Sequence, residues 1–127
     1  MKVAGPSPFS QHVPPSLFAC YRTSTERSNN GLRLAGSLSA REGNEVRVFL
    51  MADAVGCGKA GQKVPTGYYS LERMLKLVLQ RGGEVGACGS CLEARGLVEA
   101  ELLPGVRKSS LEQLTDWTLW ADRVITF

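Results

Sequence analysis

Residues 46–51 read VRVFLM and form the clearest strand pattern in the chain. The second half of this run is apolar at consecutive positions, which is typical of a parallel strand covered by helices on both sides. Further short strands are predicted at 84–87 and 123–127, and the apolar run SLFACY at 16–21 is a weaker candidate. Because helical patterns separate these strands, the sequence predicts an α/β domain with a mostly parallel sheet and helices on both faces.

Three helices are predicted from N-cap residues and apolar spacing. The first follows candidate caps at residues 23–25 and runs to residue 41, before Gly43. Ser70 is expected to cap the second, and Ser109 with Glu112 has the capping-box spacing for the third. The i, i+3, i+4 spacing predicts the apolar positions, which are Leu32, Leu34, Ala35 and Leu38 on the first helix, Leu71, Met74, Leu75 and Val78 on the second, and Leu111, Leu114, Trp117, Leu119 and Trp120 on the third.

Length and composition limit the class of protein. The chain has 127 residues, of which 43% are hydrophobic and 21% charged, with a net charge of +3. This length predicts one domain, with residues 1–22 as an irregular proline-rich lead that includes the weak strand, and residues 23–127 as a single α/β domain. No apolar run approaches the ~18 residues of a membrane span. The lysines and arginines are scattered, so neither a membrane nor a nucleic-acid partner is expected.

Four cysteines and one histidine are the most distinctive residues. An even number of cysteines suggests a disulfide framework in a secreted protein, but prolines and glycines interrupt the apolar region that a signal peptide needs. A cytoplasmic location with reduced thiols is therefore expected. In that case the cysteines are reactive, metal-binding or simply buried.

Cys88 is the best candidate nucleophile. In an α/β sheet, ligands and reactive groups gather beyond the C-terminal ends of the strands, and Cys88 follows the strand at 84–87 and precedes a short helical turn at 90–95. Backbone N–H groups at the start of a helix favour a thiolate. Gly89 removes bulk beside the sulfur, and Arg95 adds positive charge nearby. A buried core cysteine is an equally good interpretation from position alone.

Cys91 and Cys57 are secondary thiol candidates. Cys88 and Cys91 form a CxxC motif, which acts as a redox pair in some proteins, although here Gly96 ends the following helix early. A zinc site needs four ligands, and Cys57, Cys88 and Cys91 supply three, with Cys20 or His12 as a fourth. Because there is no second CxxC, no metal is expected.

The glycine-rich segment 52–67 is predicted to be a loop. Residues 56–61 match GxGxxG, but four residues separate them from the strand at 46–51 and no helix begins at residue 61. A dinucleotide fingerprint requires a tight turn between a strand and its helix, so no dinucleotide cofactor is expected. Asp53, in this loop, and Tyr68, directly after it, are candidate pocket residues together with Arg95. The alternative roles are a loop cap for Asp53 and ordinary packing for Tyr68.

Several segments in order resemble the DsrE/DsrF-like family, whose relatives include subunits of sulfur relays. The segments are TERSNNGL at 25–32, FLMADAV at 49–55, GYY at 67–69, CGSCLEARG at 88–96 and DWTLWAD at 116–122. The resemblance implies a flavodoxin-like three-layer sandwich and assembly into a homotrimer or homohexamer. It also implies a persulfide on the cysteine eight residues before the glycine of an Arg-Gly pair, which is Cys88 here. Members usually open with a strong apolar strand, whereas this chain has only SLFACY.

These observations favour a sulfur carrier in which Cys88 accepts sulfur from a donor protein and passes it to an acceptor. Whether it acts as an enzyme, a sulfurtransferase, stays open. No organic cofactor is needed for such an exchange. Two alternatives stay open, namely a non-catalytic oligomeric binding module with packed or metal-binding thiols, and a CxxC redox switch.

Overall fold

The computed structural model describes residues 15–21, 26–64 and 70–127. Within them, five strands form one sheet in the order β4-β3-β2-β1-β5, and every neighbouring pair is parallel. The strands are β1 (Ser16–Cys20), β2 (Val46–Leu50), β3 (Glu84–Cys88), β4 (Val106–Ser109) and β5 (Arg123–Thr126). The predicted parallel α/β sheet is confirmed, and the SLFACY run contributes β1, which lies between β2 and β5.

Helices cover both faces of the sheet. They are α1 (Glu26–Ser39), α2 (Leu71–Gln80), α3 (Gly89–Ala94) and α4 (Leu111–Trp120). The connections from β1 to β4 all step in one direction, while α4 returns the chain from one edge of the sheet to the other. Because such crossovers are right-handed, α4 lies on the face opposite α1 and α2. The result is a flavodoxin-like three-layer sandwich.

The two faces are visible in the alternation along the strands. Phe18, Val48 and Leu50 belong to the larger core cluster with residues of α1 and α2. Leu17 and Phe49 form a second cluster with Trp117 of α4, and the Phe49 and Trp117 rings meet edge to face at 6.0 Å. All five residues of β1 are buried. This double coverage explains the consecutive apolar residues of VRVFLM.

The predicted loop at 52–67 is wrong in its first half, because Ala52–Gly58 forms a 3-10 helix. Ala54, Val55, Cys57 and Gly58 are buried in it. Two backbone hydrogen bonds to a later part of the chain fix this segment. The Leu103 N–H donates to the Gly58 carbonyl at 2.7 Å, and the Ala60 N–H donates to the Glu101 carbonyl at 2.8 Å. These bonds to a distant part of the chain explain why a glycine-rich sequence is regular here.

Two local predictions near the third helix are also wrong. Residues 106–109 form β4, which was not predicted, so Ser109 lies in a strand and Ser110 is the N-cap of α4, accepting from the Gln113 N–H at 3.2 Å. Several predicted apolar-face positions are exposed, with Leu111 and Leu119 at 73% and 81% and Leu34 at 46%. The candidate caps at 23–25 lie outside the described residues. In the ranges the structure covers, no helix has the length and apolar character of a membrane span.

Candidate functional site

Cys88 ends β3 at the edge where all five parallel strands finish. It pairs in register with Ser109 of β4 and is the N-cap residue of α3. Its side chain is half-buried, and its Sγ lies 3.3 Å from the Ser90 Oγ. The strand therefore delivers the sulfur to the sheet edge, and the first turn of α3 places a hydroxyl beside it.

The surroundings of Cys88 favour the thiolate. Burial raises the pKa of the thiol, but hydrogen bonds from the Cys91 thiol, the Ser90 hydroxyl and the backbone N–H groups of both residues outweigh burial. The pKa of Cys88 is consequently below its ordinary value. Hydrogen bonds to the charged form of a group stabilise that form, which is the sense of this shift.

Cys91 has the opposite character. Burial and the hydrogen bond that its thiol donates to Cys88 raise the pKa of Cys91, and the Ala52 N–H and the charge of Arg95 offset this only in part. The Ala52 N–H lies 3.2 Å from the Cys91 Sγ. The pKa values of the two thiols of the CxxC motif are thus shifted in opposite directions, downward for Cys88 and upward for Cys91.

Ala52 is a site residue that the sequence did not indicate. It is the one non-glycine residue with a positive φ in the described part of the chain, at 51°. This conformation is costly for an L-residue with a side chain and is found where surrounding structure enforces it. Here it directs the Ala52 N–H toward a sulfur that is 39 residues away in the sequence. No local pattern reports such a contact.

A cavity of about 420 Å³ opens beside the two thiols. Phe49, Met51, Leu111 and Leu114 form apolar walls, and serines at 90, 109 and 110 add hydroxyl groups. The lining residues that the structure describes carry no charged side chain. The site therefore has a nucleophile and an apolar recess but, among those residues, no carboxylate or imidazole to act as a general base.

Gly89 allows α3 to start close to β4. A Cβ at this position would lie 2.8 Å from the Lys108 Cε and 3.0 Å from the Ser109 carbonyl oxygen. Distances this short require a shift of backbone or side chain. The glycine therefore fixes how closely the first turn of α3, with its sulfur, approaches the neighbouring strand.

Asp53 and Arg95 form an ion pair behind the thiols. The Arg95 guanidinium donates twice to the Asp53 carboxylate, at 2.7 and 3.1 Å, and once to the Cys91 carbonyl at 3.1 Å. These bonds link the 3-10 helix to α3. The structure brings both residues near Cys91, but neither lines the cavity.

The remaining predicted residues lie elsewhere. Cys57 is 1% exposed within the main core and does not line the cavity, and Cys20 is buried with its Sγ 3.6 Å from the Ser28 Oγ. Tyr68 and His12 lie outside the described residues. Within 15–21, 26–64 and 70–127, no three cysteine, histidine, aspartate or glutamate side chains are grouped to hold a metal ion.

The fold and the site together define an α/β protein that presents a cysteine thiol at the carboxyl edge of a parallel sheet. The model of the DsrE/DsrF-like family matches residues 16–127, and the chain belongs to that family. This family is related to sulfur-relay proteins in general.

Individual relatives are similar over most of their length. The chain is 41% identical to Protein YchN of Escherichia coli (strain K12) over 99 residues, which cover 77% of this chain and 84% of that protein. An uncharacterized protein of Methanopyrus kandleri is 38% identical over 102 residues, covering 80% and 83% of the two chains. The crystal structure of the E. coli YchN protein matches with a TM-score of 0.81 at 36% identity, covering 91% of this chain and all of that one, 100%. A protein of unknown function from Methanobacterium thermoautotrophicum shares the fold, with a TM-score of 0.72 at 16% identity over 90% of this chain and 99% of that one.

Proposed function

We propose that the protein carries sulfur as a persulfide on Cys88, taking it from a donor and giving it to an acceptor thiol. The observation that carries this proposal is the half-exposed Cys88 thiol, which has a lowered pKa and opens on an uncharged cavity. A thiolate is the reactive form of cysteine. The hydrogen bonds to the Cys88 sulfur support the thiolate without a carboxylate or imidazole among the described lining residues.

Sulfur transfer at such a site is a pair of exchange steps. The Cys88 thiolate attacks the outer sulfur of a donor persulfide, the donor S–S bond breaks, and its electron pair leaves on the donor thiolate. The outer sulfur, with its proton, is now bonded to Cys88. An acceptor thiolate then attacks that same sulfur, and Cys88 departs as a thiolate. Each step exchanges one S–S bond for another, so no external oxidant or reductant is consumed.

The groups around Cys88 support both steps. The donors that stabilise its thiolate include the Ser90 hydroxyl and the Cys91 thiol. They increase the fraction of Cys88 that is ionised for the first step, and they make Cys88 a better leaving group in the second. The side chains of Phe49 and Met51 give the bound sulfur an apolar recess. The donor and acceptor are molecules that present a thiol or persulfide at the cavity mouth.

Loading and chase test the proposal. The protein is treated with glutathione persulfide, desalted and weighed intact, then exposed to dithiothreitol and weighed again. We expect one added sulfur atom per chain in the wild type and its loss after the chase. Cys88→Ser should gain none, and the buried-core variant Cys57→Ser is the matched control that should still load. Loading of Cys88→Ser equal to wild type would contradict the proposal.

A redox pair is the second candidate, favoured by the opposite directions in which the pKa values of the two CxxC thiols are shifted, downward for Cys88 and upward for Cys91. Cys88 would attack an oxidant of the disulfide class and form a mixed disulfide, releasing one thiolate of the oxidant. Cys91 would then attack the Cys88 sulfur and release the second thiolate, which leaves a Cys88–Cys91 disulfide and a fully reduced oxidant. Equilibration with defined ratios of oxidised and reduced glutathione tests this. A Cys88–Cys91 disulfide that forms and reverses within the range of cellular thiol potentials would favour it over the carrier.

A further inference from the structure

We propose that the basic groove between α1 and α2 binds an acidic amphipathic helix of a partner protein. This basic groove, of about 480 Å³, is lined by Arg33 of α1 and by Arg73 and Arg81, which lie in α2 and directly after it. It shares no described lining residue with the cavity beside Cys88. The basic groove is therefore a second site, and its function does not depend on sulfur transfer.

The net positive charge of the chain is concentrated on these two helices. The chain has 15 lysines and arginines and 12 aspartates and glutamates. Residues 26–39 and 71–81, which comprise α1, α2 and Arg81, hold five of the basic and two of the acidic residues, and ten of each remain elsewhere. The described lining of the basic groove includes no acidic residue, and Glu72 of α2 is paired with Lys76 at 3.2 Å. This surface is therefore complementary in charge to an acidic partner.

The floor of the basic groove is apolar. Leu32 is fully buried at its base, and Met74 and Leu77 are half-buried along its wall. Gly36 leaves the floor open, because a Cβ at this position would meet no heavy atom within 4 Å. The apolar face of a docked helix gains free energy by covering such a surface, whereas an inorganic anion does not.

The arginines at the two ends of α2 are positioned by other parts of the groove. The Arg81 guanidinium donates to the Gly36 carbonyl of α1 at 2.8 Å, which holds it across one end. Ser70 caps α2 by accepting from the Arg73 N–H at 3.2 Å, which places Arg73 in the first turn. Eight residues of helix separate Arg73 from Arg81, a distance of about 12 Å along the axis. Acidic residues two turns apart on a partner helix lie about 11 Å apart and match this spacing.

A protein helix fits these features better than a nucleic acid does. Arginine binds carboxylates through paired N–H···O bonds, and apolar grooves accept amphipathic helices. Nucleic-acid affinity depends mainly on the neutralisation of many phosphates. The basic groove offers three arginines above an apolar floor, which is the combination that an acidic amphipathic helix requires.

Fluorescence anisotropy of a labelled peptide, titrated with the full chain, tests the proposal. The probe is a designed helical peptide with leucines on one face and glutamates on both flanks of that face. We expect it to bind the wild type, and the binding should weaken as the salt concentration is raised. The control peptide carries glutamines in place of the glutamates and should bind at least about twofold more weakly.

Variants of the protein locate the site. Arg33→Gln combined with Arg73→Gln should weaken binding of the acidic peptide by about twofold to thirtyfold, because two ion pairs are lost. Arg107→Gln combined with Arg123→Gln is the matched control, since it removes the same charge from exposed residues of β4 and β5 and should bind as wild type does. Gly36→Leu, which fills the open floor, should also weaken binding. Thermal unfolding followed by circular dichroism checks that each variant is folded.

Four results would overturn the proposal. The first is equal binding of the two peptides, or no binding of the acidic peptide to the wild type. The second is an equal loss of affinity in both paired variants, which would show an effect of net charge alone. The third is arginine-dependent binding of labelled single-stranded DNA that is tighter than binding of the acidic peptide, which would assign the basic groove to nucleic acid. The fourth is a lower oligomer mass of the Arg33→Gln/Arg73→Gln variant by light scattering, which would assign it to a second copy of the chain.

Discussion

The Ser90 Oγ lies 3.3 Å from the Cys88 Sγ across the first turn of α3. This hydroxyl is among the groups that lower the pKa of Cys88. Because the Ser90 side chain is exposed, Ser90 can be substituted with little effect on packing.

Ser90→Ala should weaken the thiolate. Loss of a donor to the charged form raises the pKa of Cys88, so the thiolate fraction falls, and alkylation at pH values below that pKa should slow by about threefold to tenfold. The measurement is the pH profile of Cys88 alkylation. Ser90→Thr keeps the hydroxyl and should retain the wild-type profile. A wild-type profile in Ser90→Ala would show that the hydroxyl does not stabilise the thiolate.

Gly89→Ala should destabilise the protein and disturb the thiol. The added Cβ meets the Ser109 carbonyl oxygen at 3.0 Å, so α3 and β4 have to separate, at a cost of about 1–3 kcal/mol of unfolding free energy by urea denaturation. Gly36→Ala is the matched control, since a Cβ at this position, in the last turn of α1, meets nothing within 4 Å. Equal effects of the two substitutions would rule out close approach as the reason for Gly89.

The Asp53–Arg95 pair should matter more through Arg95 than through Asp53. Both side chains reach solvent, with exposures of 72% and 35%, so the pair itself should be worth only roughly 0.2–1 kcal/mol. Arg95 also binds the Cys91 carbonyl and lowers the pKa of Cys91 by its charge. We therefore expect Arg95→Gln to raise the pKa of Cys91 further.

Alkylation of Cys91 across pH, measured in Arg95→Gln and Asp53→Asn, checks this assignment. The first variant should react more slowly than wild type at pH values below the pKa. The stability loss in urea should also be greater for Arg95→Gln. Faster alkylation of Cys91 in Arg95→Gln would contradict the sign of the charge effect.

Trp117 should be the main anchor of α4. It is 6% exposed, meets the Phe49 ring edge to face, and lies beside the Arg47 guanidinium at 5.5 Å. Trp117→Ala should cost about 3–5 kcal/mol of unfolding free energy in urea. Because Phe49 also lines the cavity, reactivity of Cys88 should change as well.

Trp120→Ala is the comparison, since Trp120 stacks on the same arginine at 3.8 Å but is only partly buried. It should cost less stability than Trp117→Ala and leave Cys88 alkylation unchanged. A larger loss of unfolding free energy in Trp120→Ala than in Trp117→Ala would contradict the assignment of Trp117 as the main anchor of α4.

The sequence predicted those parts of the fold that depend on local periodicity. VRVFLM indicated a strand buried on both faces, and the end of the 84–87 strand indicated Cys88, because both signals lie in consecutive residues. β4 was missed because Arg107 and Lys108 are exposed within its four residues, so it shows no apolar pattern. The 3-10 helix was missed because its order depends on backbone hydrogen bonds with Glu101 and Leu103, which are distant in the sequence.

The sequence predicted the positions of the two thiols but not the contacts that shift their pKa values. Spacing alone places Cys88 and Cys91 on one turn, but it does not say in which direction the pKa of each thiol is shifted. Those directions depend on contacts that the spacing does not contain, such as the Ser90 hydroxyl, which lowers the pKa of Cys88, and the Ala52 N–H, which reaches Cys91 from 39 residues away and offsets part of the rise in its pKa. Cys57, equally prominent in a glycine-rich segment, is buried because that segment packs on the core.

The location of sulfur after loading is the most direct measure of the account. Protein loaded with glutathione persulfide is alkylated and digested with trypsin. The peptides 82–95, with Cys88 and Cys91, and 48–59, with Cys57, are then fragmented to locate the added sulfur. The account predicts one extra sulfur on Cys88 and an unmodified sulfur on Cys91. Sulfur found on Cys91 or on Cys57, or on no cysteine of the wild type, would contradict it.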